Sequence, residues 1–560
     1  MTTFSDILLQ SCRDVPEREI VYLQHAGQND LPIAYADLLK NAGGYARVLD
    51  LHDIQPGEVV VLILQHSKEL IYSFFGAILH GSIPSIMPFL TEKLSPERYR
   101  ADLKALIDVT KPAAIMTYPE FESEIRSALC VGDSVRTVIV AEGFDPLDIA
   151  EGDKLSGLKR AEDDIVLLQH SSGTTGLQKG VALSHRAVLN QLAAYGEAMQ
   201  LSENNDVLVS WLPLYHDMGL IAGFLMPILS RVPLVLMSPF DWVRAPYRLM
   251  QAVSTYRGTL SWLPNFAFNF CAQRVRERDM KDVDLSSWRA IVNCSEPVRW
   301  DSHQAFYEKF KPYGLKKNAL QTSYAMAENV FGVTQSDLSK PPVVEEIDHQ
   351  AFIVDRVARP TTDKQPMIKM MSSGQTLSNT RVRVLDENMQ DLPDCVIGEI
   401  ALQSDCMLTG YYNRPKITKE AFFDGWYLTG DYGYRSNGEL FVTGRKKDLL
   451  IIGGKNVYPQ DIEAIAYEVE GVSKGRAVAF GIFDQRSGTE EVVLIAETET
   501  QTEQDRQRIA DAVRQHVTKN SAITLRRVHI VGSKWILKTS SGKVARAANK
   551  EKYLKEVDQK

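Results

Sequence analysis

The sequence lacks the features of secreted, membrane-spanning and disulfide-stabilised proteins. Its six cysteines are scattered over 560 residues without a C-x-x-C pair, which argues against a disulfide framework or a zinc site. The N-terminus has neither a basic segment nor a long apolar stretch, so no secretory signal is visible. The longest apolar run, at 220–229, is about half the length of a bilayer span. These absences predict a cytoplasmic protein without a transmembrane segment.

An excess of basic residues is also lacking. The chain has 63 Lys and Arg against 71 Asp and Glu, a formal net charge of −8, so we expect no nucleic-acid partner. With 44% hydrophobic and 24% charged residues, the composition is typical of a globular protein and excludes a disordered or collagen-like chain. At about 150 residues per domain, the length predicts two to four domains.

Short apolar runs alternate with helical patterns along the chain. A helix is predicted at 68–80, and buried strands are predicted at 59–64, 113–117, 137–140, 206–210 and 232–236. This alternation predicts an α/β fold of layered, mostly parallel sheets with helices. Residues 338–369 are rich in proline and charge, and we expect an inserted loop or small lobe there. A polar link at 444–448 precedes a self-contained pattern of helices and strands, so we predict a domain boundary at this link.

A loop of small residues follows the apolar run at 165–168. It contains, in order, Ser171, Ser172, Gly173, Thr174, Thr175, Gly176 and Lys179. Glycines let backbone N–H groups approach an anion, hydroxyls add donors, and lysine adds a compact positive charge. The spacing is not that of a Walker A motif. The pattern predicts phosphate binding, and a Ser/Thr/Gly hairpin without a ligand is the alternative.

This loop resembles the phosphate loop of the adenylate-forming superfamily, which includes acyl-CoA synthetases, luciferases and adenylation domains. Further motifs follow in that family's order at 211–220, 324–328, 427–431, 444–448 and 537–544. The resemblance spans nearly the whole chain. It implies a large N-terminal adenylation domain at 1–444, which binds ATP and the acyl substrate. It also implies a small, mobile α+β C-terminal lid domain at 445–560.

Several segments are more similar to the fatty acyl-AMP ligases than to CoA ligases in general. They lie at 213–220, 263–268, 284–289 and 458–463. The interval between Glu328 and Gly374 is long for the superfamily. Residues 338–369 fall where that family carries an extra segment, which hinders the CoA-competent domain rotation. The resemblance implies a fatty or related carboxylic acid as substrate, ATP and Mg²⁺ as cofactors, and an acyl carrier protein as partner.

The resemblance assigns the nucleotide to residues of the N-terminal domain. The loop at 171–179 would hold the β- and γ-phosphates, Glu328 would position Mg²⁺, and Tyr324 would offer an aromatic face to adenine. The segment that borders adenine is matched by Asn293, Cys294 and Ser295. Without the motifs, Glu328 would be interpreted as a helix-start carboxylate and Tyr324 as a core tyrosine.

The remaining nucleotide contacts come from residues near and beyond the predicted boundary. Asp431 would accept hydrogen bonds from both ribose hydroxyls, Arg445 would reach the ribose or phosphates, and Lys447 matches the hinge. Lys543 would swing in as the catalytic lysine that stabilises the α-phosphate and the carboxylate. Without the motifs, Asp431 would be a turn residue, Arg445 a solvated side chain and Lys543 one lysine of a basic tail.

The acyl site is predicted around the motif at 211–220. His216 would lie beside the acyl carboxylate as a catalytic and substrate-contacting candidate, although a lone histidine is more often structural. An apolar tunnel is predicted from Trp211, Met218, Trp262 and Phe266, each of which could equally belong to the ordinary core.

Three functions follow from these patterns. The first is an acyl-AMP ligase that transfers the acyl group to the phosphopantetheine thiol of a carrier protein, and the long interval after Glu328 favours it. The second is an acyl-CoA or aryl-CoA ligase, which the generic form of the phosphate loop and Ala325 favour. The third, a non-catalytic sensor, predicts loss of the charged site residues, all of which are present: Lys179, Glu328, Asp431, Arg445 and Lys543.

Overall fold

The computed structural model describes residues 2–90, 96–171, 179–361, 367–452, 455–484, 489–521, 525, 527–539 and 542–556. Contacts divide the chain into two compact units. Unit 1 comprises Met1–Pro342, Ser373–Arg381 and Gln403–Tyr427, and unit 2 comprises Val343–Ser372, Val382–Leu402 and Leu428–Lys560. Unit 2 therefore unites residues 445–560 with three segments that precede them. The boundary after Gly444 stays a prediction.

The strands, in chain order, are β1 (Glu19–Gln24), β2 (Leu31–Ala34), β3 (Val59–Ile63), β4 (Ile83–Ile86), β5 (Ala114–Thr117), β6 (Thr137–Val140), β7 (Ile165–Ser171), β8 (Lys179–Ser184), β9 (Leu208–Ser210), β10 (Leu234–Met237), β11 (Leu260–Leu263), β12 (Ala290–Asn293), β13 (Leu320–Ala325), β14 (Gly332–Gln335), β15 (Val344–Asp348), β16 (Met367–Met371), β17 (Gln375–Thr376), β18 (Thr380–Leu385), β19 (Gly398–Ser404), β20 (Gly410–Tyr411), β21 (Phe422–Phe423), β22 (Trp426–Ser436), β23 (Glu439–Arg445), β24 (Leu450–Ile452), β25 (Lys455–Val457), β26 (Ala477–Asp484), β27 (Thr489–Thr498) and β28 (Arg527–Gly532).

The α-helices are α1 (Phe4–Asp14), α2 (Tyr35–Leu51), α3 (Lys68–His80), α4 (Pro96–Thr110), α5 (Glu122–Ala128), α6 (His185–Ala198), α7 (Met226–Leu229), α8 (Pro239–Arg244), α9 (Tyr247–Tyr256), α10 (Asn265–Arg274), α11 (Trp300–Phe310), α12 (Pro415–Glu420), α13 (Pro459–Ala466), α14 (Glu503–Asn520) and α15 (Arg546–Glu556). Shorter 3₁₀ turns span Pro119–Phe121, Ile149–Lys154, Ser156–Lys159, Glu277–Met280, Lys311–Tyr313, Lys317–Ala319, Ala327–Asn329 and Lys446–Asp448, and π-helical turns span Met218–Leu225 and Ala351–Asp355.

Two large sheets lie in unit 1. The first has the order β17-β14-β13-β12-β11-β9-β10-β1-β2, with parallel pairing from β13 to β1 and antiparallel strands at both edges. The second has the order β20-β8-β7-β4-β3-β5-β6; it is parallel from β7 to β6 and antiparallel from β7 to β20. These layers confirm the predicted α/β class.

Unit 2 contains smaller, mixed sheets. Strands β18, β19 and β22 form one sheet with β23 on β22, and β26, β27 and β28 form another, antiparallel and then parallel. The segment predicted as an inserted loop or lobe contains the antiparallel hairpin β15–β16. Apolar side chains of this hairpin pack with residues of β22 and β23 in one buried cluster.

Local signals explain why several predicted elements have the observed bounds. The Ser67 hydroxyl accepts a hydrogen bond from the Leu70 N–H at 3.4 Å, and α3 ends at Gly81, which has a φ of +89°. A serine N-cap and a left-handed glycine are typical helix boundaries. The Ser184 hydroxyl likewise accepts from the Ala187 N–H at 3.1 Å, so Ser184 is the N-cap of α6.

The longest apolar run is internal to unit 1. It forms the π-helical turn Met218–Leu225 and α7, and all of these residues are buried. Within the part of the chain that the structure describes, no helix is both long and apolar enough to cross a membrane.

Candidate active site

The predicted phosphate loop connects the ends of two paired strands. Ser171 is the last residue of β7 and faces Lys179, the first residue of β8, across an antiparallel pair. The Nζ atom of Lys179 lies 4.6 Å from the centre of the Tyr411 ring, a cation–π contact. The intervening candidates lie outside the described residues: Ser172, Gly173, Thr174, Thr175 and Gly176.

Glu328 lies just before a strained backbone turn that follows β13. Val330 has φ +62° and ψ −55°, and the N–H that follows it bonds to the Asn329 carbonyl at 2.6 Å. This is a γ-turn with a positive φ at a β-branched residue, which costs about 1–3 kcal/mol. The Asn329 amide stabilises the turn by donating to the Gly332 carbonyl at 2.7 Å and accepting from Ser404 at 2.5 Å. Such strain is typical of functional sites.

The Glu328 carboxylate has a defined tyrosine partner. The Tyr411 hydroxyl donates to Glu328 Oε1 at 2.9 Å and lies 2.9 Å from the Tyr427 hydroxyl. Both tyrosines are buried. Burial, together with the negative Glu328, raises the pKa of Tyr427 far above its usual range. The phenol therefore stays protonated and available as a hydrogen-bond donor.

Tyr324 lies on the strand that leads to Glu328. It belongs to β13, pairs with Thr334 of β14, and its N–H donates to the Thr334 hydroxyl at 3.1 Å. The side chain is 8% exposed. A largely buried tyrosine ring on a strand paired at both sides is consistent with the predicted adenine contact. The contact itself stays a prediction.

Buried polar groups hold the predicted adenine segment in place through hydrogen bonds. The Asn293 amide nitrogen donates to Asn265 Oδ1 and lies near His303 Nε2, both at 3.0 Å. Burial lowers the pKa of His303 to about 3, so this ring is neutral and can accept. Cys294 is fully buried, and Ser295 has a φ of +69°. The segment is therefore rigid where the resemblance expects adenine.

The motif at 211–220 forms a shaped loop around His216. The His216 Nδ1 atom lies 2.6 Å from Asp217 Oδ1, and the same oxygen accepts from the Met218 N–H at 2.8 Å. A carboxylate at Nδ1 fixes the tautomer and leaves Nε2 as the acceptor. Met218 is buried, with its sulfur 3.0 Å from Cys294 Sγ. Met218 thereby joins the acyl motif to the adenine segment.

Gly219 allows this loop to fold tightly, and its replacement is a direct test. A Cβ atom at Gly219 would lie 2.2 Å from the Pro213 carbonyl oxygen. We expect Gly219→Ala to lower the free energy of unfolding by about 1–3 kcal/mol and to reduce acyl-AMP formation by displacing His216. Thermal unfolding and a pyrophosphate-release assay measure both effects.

Gly196 provides the matched control for this substitution. It lies in α6, and a Cβ there would make only ordinary contacts at 3.8 Å. Gly196→Ala is expected to stabilise the helix by about 0.5–1 kcal/mol without a loss of rate. Equal stability and activity of the two variants would contradict the tight-turn role of Gly219.

The predicted tunnel residues fall into two groups. Trp211 stacks on Trp242 with ring centres 3.5 Å apart and planes at 5°, and Phe266 meets both indoles edge-on. The two indole N–H groups are buried and have no partner among the described residues, whereas a buried indole normally finds an acceptor. By contrast, the Trp262 N–H donates to the Tyr195 hydroxyl at 2.9 Å. The pair Trp211–Trp242, with Phe266, is therefore the better candidate for ligand contact.

Unit 2 brings two of the predicted nucleotide residues together. Asp431 and Arg445 are cross-strand partners on β22 and β23, with Nε 3.2 Å from Oδ1. Asp431 is nearly buried, and its N–H donates to the Thr429 hydroxyl at 3.0 Å. Lys447 is exposed in the turn Lys446–Asp448 that follows β23. The arrangement suits the predicted recognition of ribose and phosphate, and the predicted hinge residue follows β23 in the chain.

Lys543 lies at the base of a hydrogen-bonded loop. The Thr539 N–H donates to the Lys543 carbonyl at 2.7 Å, and the Lys543 N–H donates to the Thr539 hydroxyl at 3.1 Å. The buried Asn549 side chain closes the loop by bonding both the N–H and the carbonyl of Leu537 at 2.8 Å. Arg546 is paired with Glu463 of α13. Hydrogen bonds with Thr539 and Asn549 therefore hold the loop that contains Lys543.

The donor set fits a magnesium ion that arrives with a nucleotide. Within the described ranges, no three His, Cys, Asp or Glu side chains form a metal cage. Mg²⁺ is usually bound by one or two carboxylates together with substrate phosphates. Glu328 supplies one such carboxylate, which the Tyr411 hydroxyl orients through Oε1.

Comparisons with known proteins identify the family of this chain. A family model described as AMP-binding enzyme matches residues 9–412. The chain is 31% identical over 525 residues to the long-chain-fatty-acid–AMP ligase FadD26 of Mycobacterium bovis, covering 89% of this chain and 87% of that protein. It is 29% identical over 551 residues to the medium-chain-fatty-acid–acyl-carrier-protein ligase JamA of Moorena producens, covering 95% and 92%.

A solved structure is similar to this chain over its full length. A chain from studies of fatty acyl-adenylate ligases from E. coli and L. pneumophila has a TM-score of 0.90 at 28% identity, covering 100% of this chain and 99% of that one. The protein belongs to the AMP-binding enzyme family. It is an adenylate-forming ligase, which activates a carboxylic acid with ATP to an acyl-AMP. The predicted superfamily and fold are confirmed.

Sequence reasoning missed three side chains of this region. Tyr411, Trp242 and the orienting role of Asp217 emerge only from the fold. The first two lie in segments with no chemical signature of their own. Asp217, adjacent to His216, was visible in the motif, but adjacency alone does not show which way a carboxylate turns.

Proposed function

We propose that the protein activates a fatty acid with ATP and passes the acyl group to the phosphopantetheine thiol of an acyl carrier protein. The observation that carries the proposal is that Lys179 and Glu328 meet the same buried tyrosine, Tyr411, in a member of the AMP-binding family. A lysine for phosphate oxygens and a carboxylate for Mg²⁺ are the charges that activation by ATP requires. The names of FadD26 and JamA support the fatty acid and the carrier protein.

In the first step, an oxygen of the acid attacks the α-phosphorus of ATP. The new bond is O–P, the bond to pyrophosphate breaks, and pyrophosphate leaves. Both reactants are anions, so catalysis consists of charge neutralisation and alignment. Lys179 and the loop before it neutralise the β- and γ-phosphates, and Lys543 stabilises the charge at the α-phosphate. Mg²⁺, when bound at Glu328, would draw charge from the phosphate oxygens.

Other residues hold the nucleoside and the acid. Asp431 accepts from the ribose hydroxyls, with Arg445 beside it, and Tyr324 packs on adenine above the segment 293–295. His216, oriented by Asp217, presents Nε2 toward the carboxylate end of the acyl site. Trp211, Trp242 and Phe266 surround the acyl chain, with Met218 between acid and adenine.

In the second step, the thiol sulfur attacks the acyl carbonyl carbon. A C–S bond forms, the C–O bond to AMP breaks, AMP leaves as an anion, and the thiol proton goes to solvent. Free CoA carries the same thiol and is the competing acceptor. The packing of β15–β16 against β22 and β23 supports the carrier protein, because a segment built into unit 2 opposes rotation at the Lys447 hinge.

None of the six cysteines forms a disulfide, in keeping with the cytoplasmic location that we propose.

The test is mass spectrometry of the products from a panel of acids. With ATP, Mg²⁺ and straight-chain, branched and aryl-substituted acids, we expect an acyl-AMP ion for fatty acids above all. Addition of a phosphopantetheinylated carrier protein should convert it to the acyl-carrier thioester, and addition of CoA should leave it largely unchanged. Abundant acyl-CoA would replace the carrier protein by CoA as acceptor. The absence of acyl-AMP with every acid would overturn the proposal.

A further inference from the structure

Tyr411 contacts both of the charged groups assigned to the triphosphate and its metal. The Lys179 ammonium lies 4.6 Å from the ring centre, and the hydroxyl donates to Glu328 Oε1 at 2.9 Å. Tyr411 itself is 5% exposed. One side chain therefore uses its π-face for the cation and its polar end for the anion.

The backbone around Tyr411 is bonded to the segments that carry these charges. In β20, Tyr411 pairs with Val181 of β8, and the Tyr412 N–H donates to the Gly180 carbonyl at 2.8 Å. The Leu408 N–H donates to the Glu328 carbonyl, also at 2.8 Å. Residues 408–412 thus connect the strand that begins at Lys179 to the turn that contains Glu328.

The direction of the hydroxyl bonds follows from the number of protons. An ionised carboxylate only accepts, so the Tyr411 proton is used on Glu328. The Tyr427 hydroxyl, 2.9 Å away, must then donate to the Tyr411 oxygen. Successive hydrogen bonds polarise one another. Tyr427 therefore strengthens the bond that Tyr411 makes to the carboxylate.

We propose that Tyr411 is a positioning residue that sets the spacing and orientation of Lys179 and Glu328 for a metal-bound triphosphate. A lysine and a glutamate that come close pair with each other and neutralise the charges needed for the ligand. The Tyr411 ring gives each group a separate partner and fixes both in the apo protein. The inference rests on the proposed roles of Lys179 and Glu328, and it adds the residue that holds them.

The experiment measures nucleotide binding rather than turnover. We expect Tyr411→Phe, which keeps the ring and removes the hydroxyl, to raise the Kd for ATP with Mg²⁺ about tenfold, the scale of one hydrogen bond to a charged group. In EDTA, the Kd for ATP should change by less than about twofold, because the ring under Lys179 remains. Tyr411→Leu removes the ring as well and should weaken ATP binding in both conditions. Isothermal titration calorimetry gives each value.

Tyr412→Phe is the matched control. It removes a hydroxyl from the next residue, a half-buried tyrosine outside the nucleotide site, and should leave both Kd values unchanged. Tyr427→Phe provides a second, milder test that keeps Tyr411 intact. Loss of its donated bond should raise the Kd for ATP with Mg²⁺ about twofold to threefold, a fraction of the full effect.

Glu328→Gln separates failure of this inference from failure of the proposed function. If Glu328→Gln weakens binding of ATP with Mg²⁺ while Tyr411→Phe and Tyr427→Phe bind like the wild type, the positioning role is wrong and the metal role stands. If Glu328→Gln also binds like the wild type, the proposed metal role falls and this inference with it. In the double variant, Tyr411→Phe should add little to Glu328→Gln, because the charged carboxylate that Tyr411 positions for the metal is already absent. Full additivity would overturn the proposal.

Discussion

Replacement of Lys543 by alanine is expected to lower the rate of acyl-AMP formation by about 100- to 1,000-fold, the loss seen when one preorganised charge or donor is removed from a transition state. The reacting carboxylate and the α-phosphate are both negative, and the variant removes the positive charge that we propose stabilises them. ATP–pyrophosphate exchange at saturating acid measures the rate. The Kd for ATP, measured by calorimetry, should stay within about threefold of the wild-type value.

The surroundings of Lys543 make this variant informative. Its loop is closed by Thr539 and Asn549, and Arg546 anchors the following helix to Glu463. These bonds involve the backbone or other side chains, so truncation of Lys543 should leave unit 2 folded. Lys555→Ala is the control. Lys555 lies on α15, the helix that follows the Lys543 loop, and pairs with Glu551 on the exposed surface of that helix. Equal rates for the two variants would refute the assignment of Lys543.

The second large expected effect is a change of acceptor. We expect Phe352→Ala to raise the ratio of acyl-CoA to acyl-AMP by up to about tenfold, because the lost aromatic contact, ~0.5–1.5 kcal/mol beyond its buried area, no longer opposes hinge rotation. Deletion of the segment that connects β15 to β16, which contains Phe352, should have a larger effect in the same direction. The products are quantified by mass spectrometry with CoA at saturation.

The packing of Phe352 is the basis of this expectation. It belongs to the buried cluster that joins the inserted hairpin to Tyr432 and Phe441, and its ring lies 6.3 Å from that of Tyr458. Tyr458 follows the predicted hinge, yet its hydroxyl lies 2.8 Å from that of Thr443, which precedes the hinge. Rotation at the predicted Lys447 hinge would break the contacts that Tyr458 makes with Phe352 and Thr443.

Val354 provides a matched control for Phe352. It lies on the same π-helical turn but is 40% exposed, so Val354→Ala should leave the product ratio unchanged. An unaltered ratio in Phe352→Ala and in the deletion variant, with acyl-AMP formation intact, would show that the inserted segment does not select the acceptor.

Much of the fold could be predicted because its signals are local. Helix α3 was predicted at its observed bounds, since Ser67 and Gly81 mark both ends and most residues between them are apolar. The strand prediction at 137–140 also matches β6, a continuous apolar run in a parallel sheet. The charged candidates could be named because each lies in a short motif that resembles one of the adenylate-forming superfamily.

The remainder depends on contacts that no local pattern records. In β15 only Ile347 and Asp348 are buried, and in β16 only Met371, so the inserted hairpin lacks the alternation that would have predicted strands. Tyr411 meets a carboxylate 83 positions away. A tyrosine in a Gly-Tyr-Tyr sequence gives no sign of that partner. The sequence could therefore supply the charges of the site but not the group that holds them apart.

The pairing of β20 with β8 has a consequence for biosynthesis. Val181 and Tyr411 are 230 positions apart (411 − 181), and a ribosome releases the chain from its N-terminus. A nascent chain shorter than about 410 residues has Lys179 and Glu328 but nothing to join them. Closure of so long a loop is entropically costly and slow. The growing polypeptide thus gains the contacts of Tyr411 with Lys179 and Glu328 only when synthesis of unit 1 is almost complete.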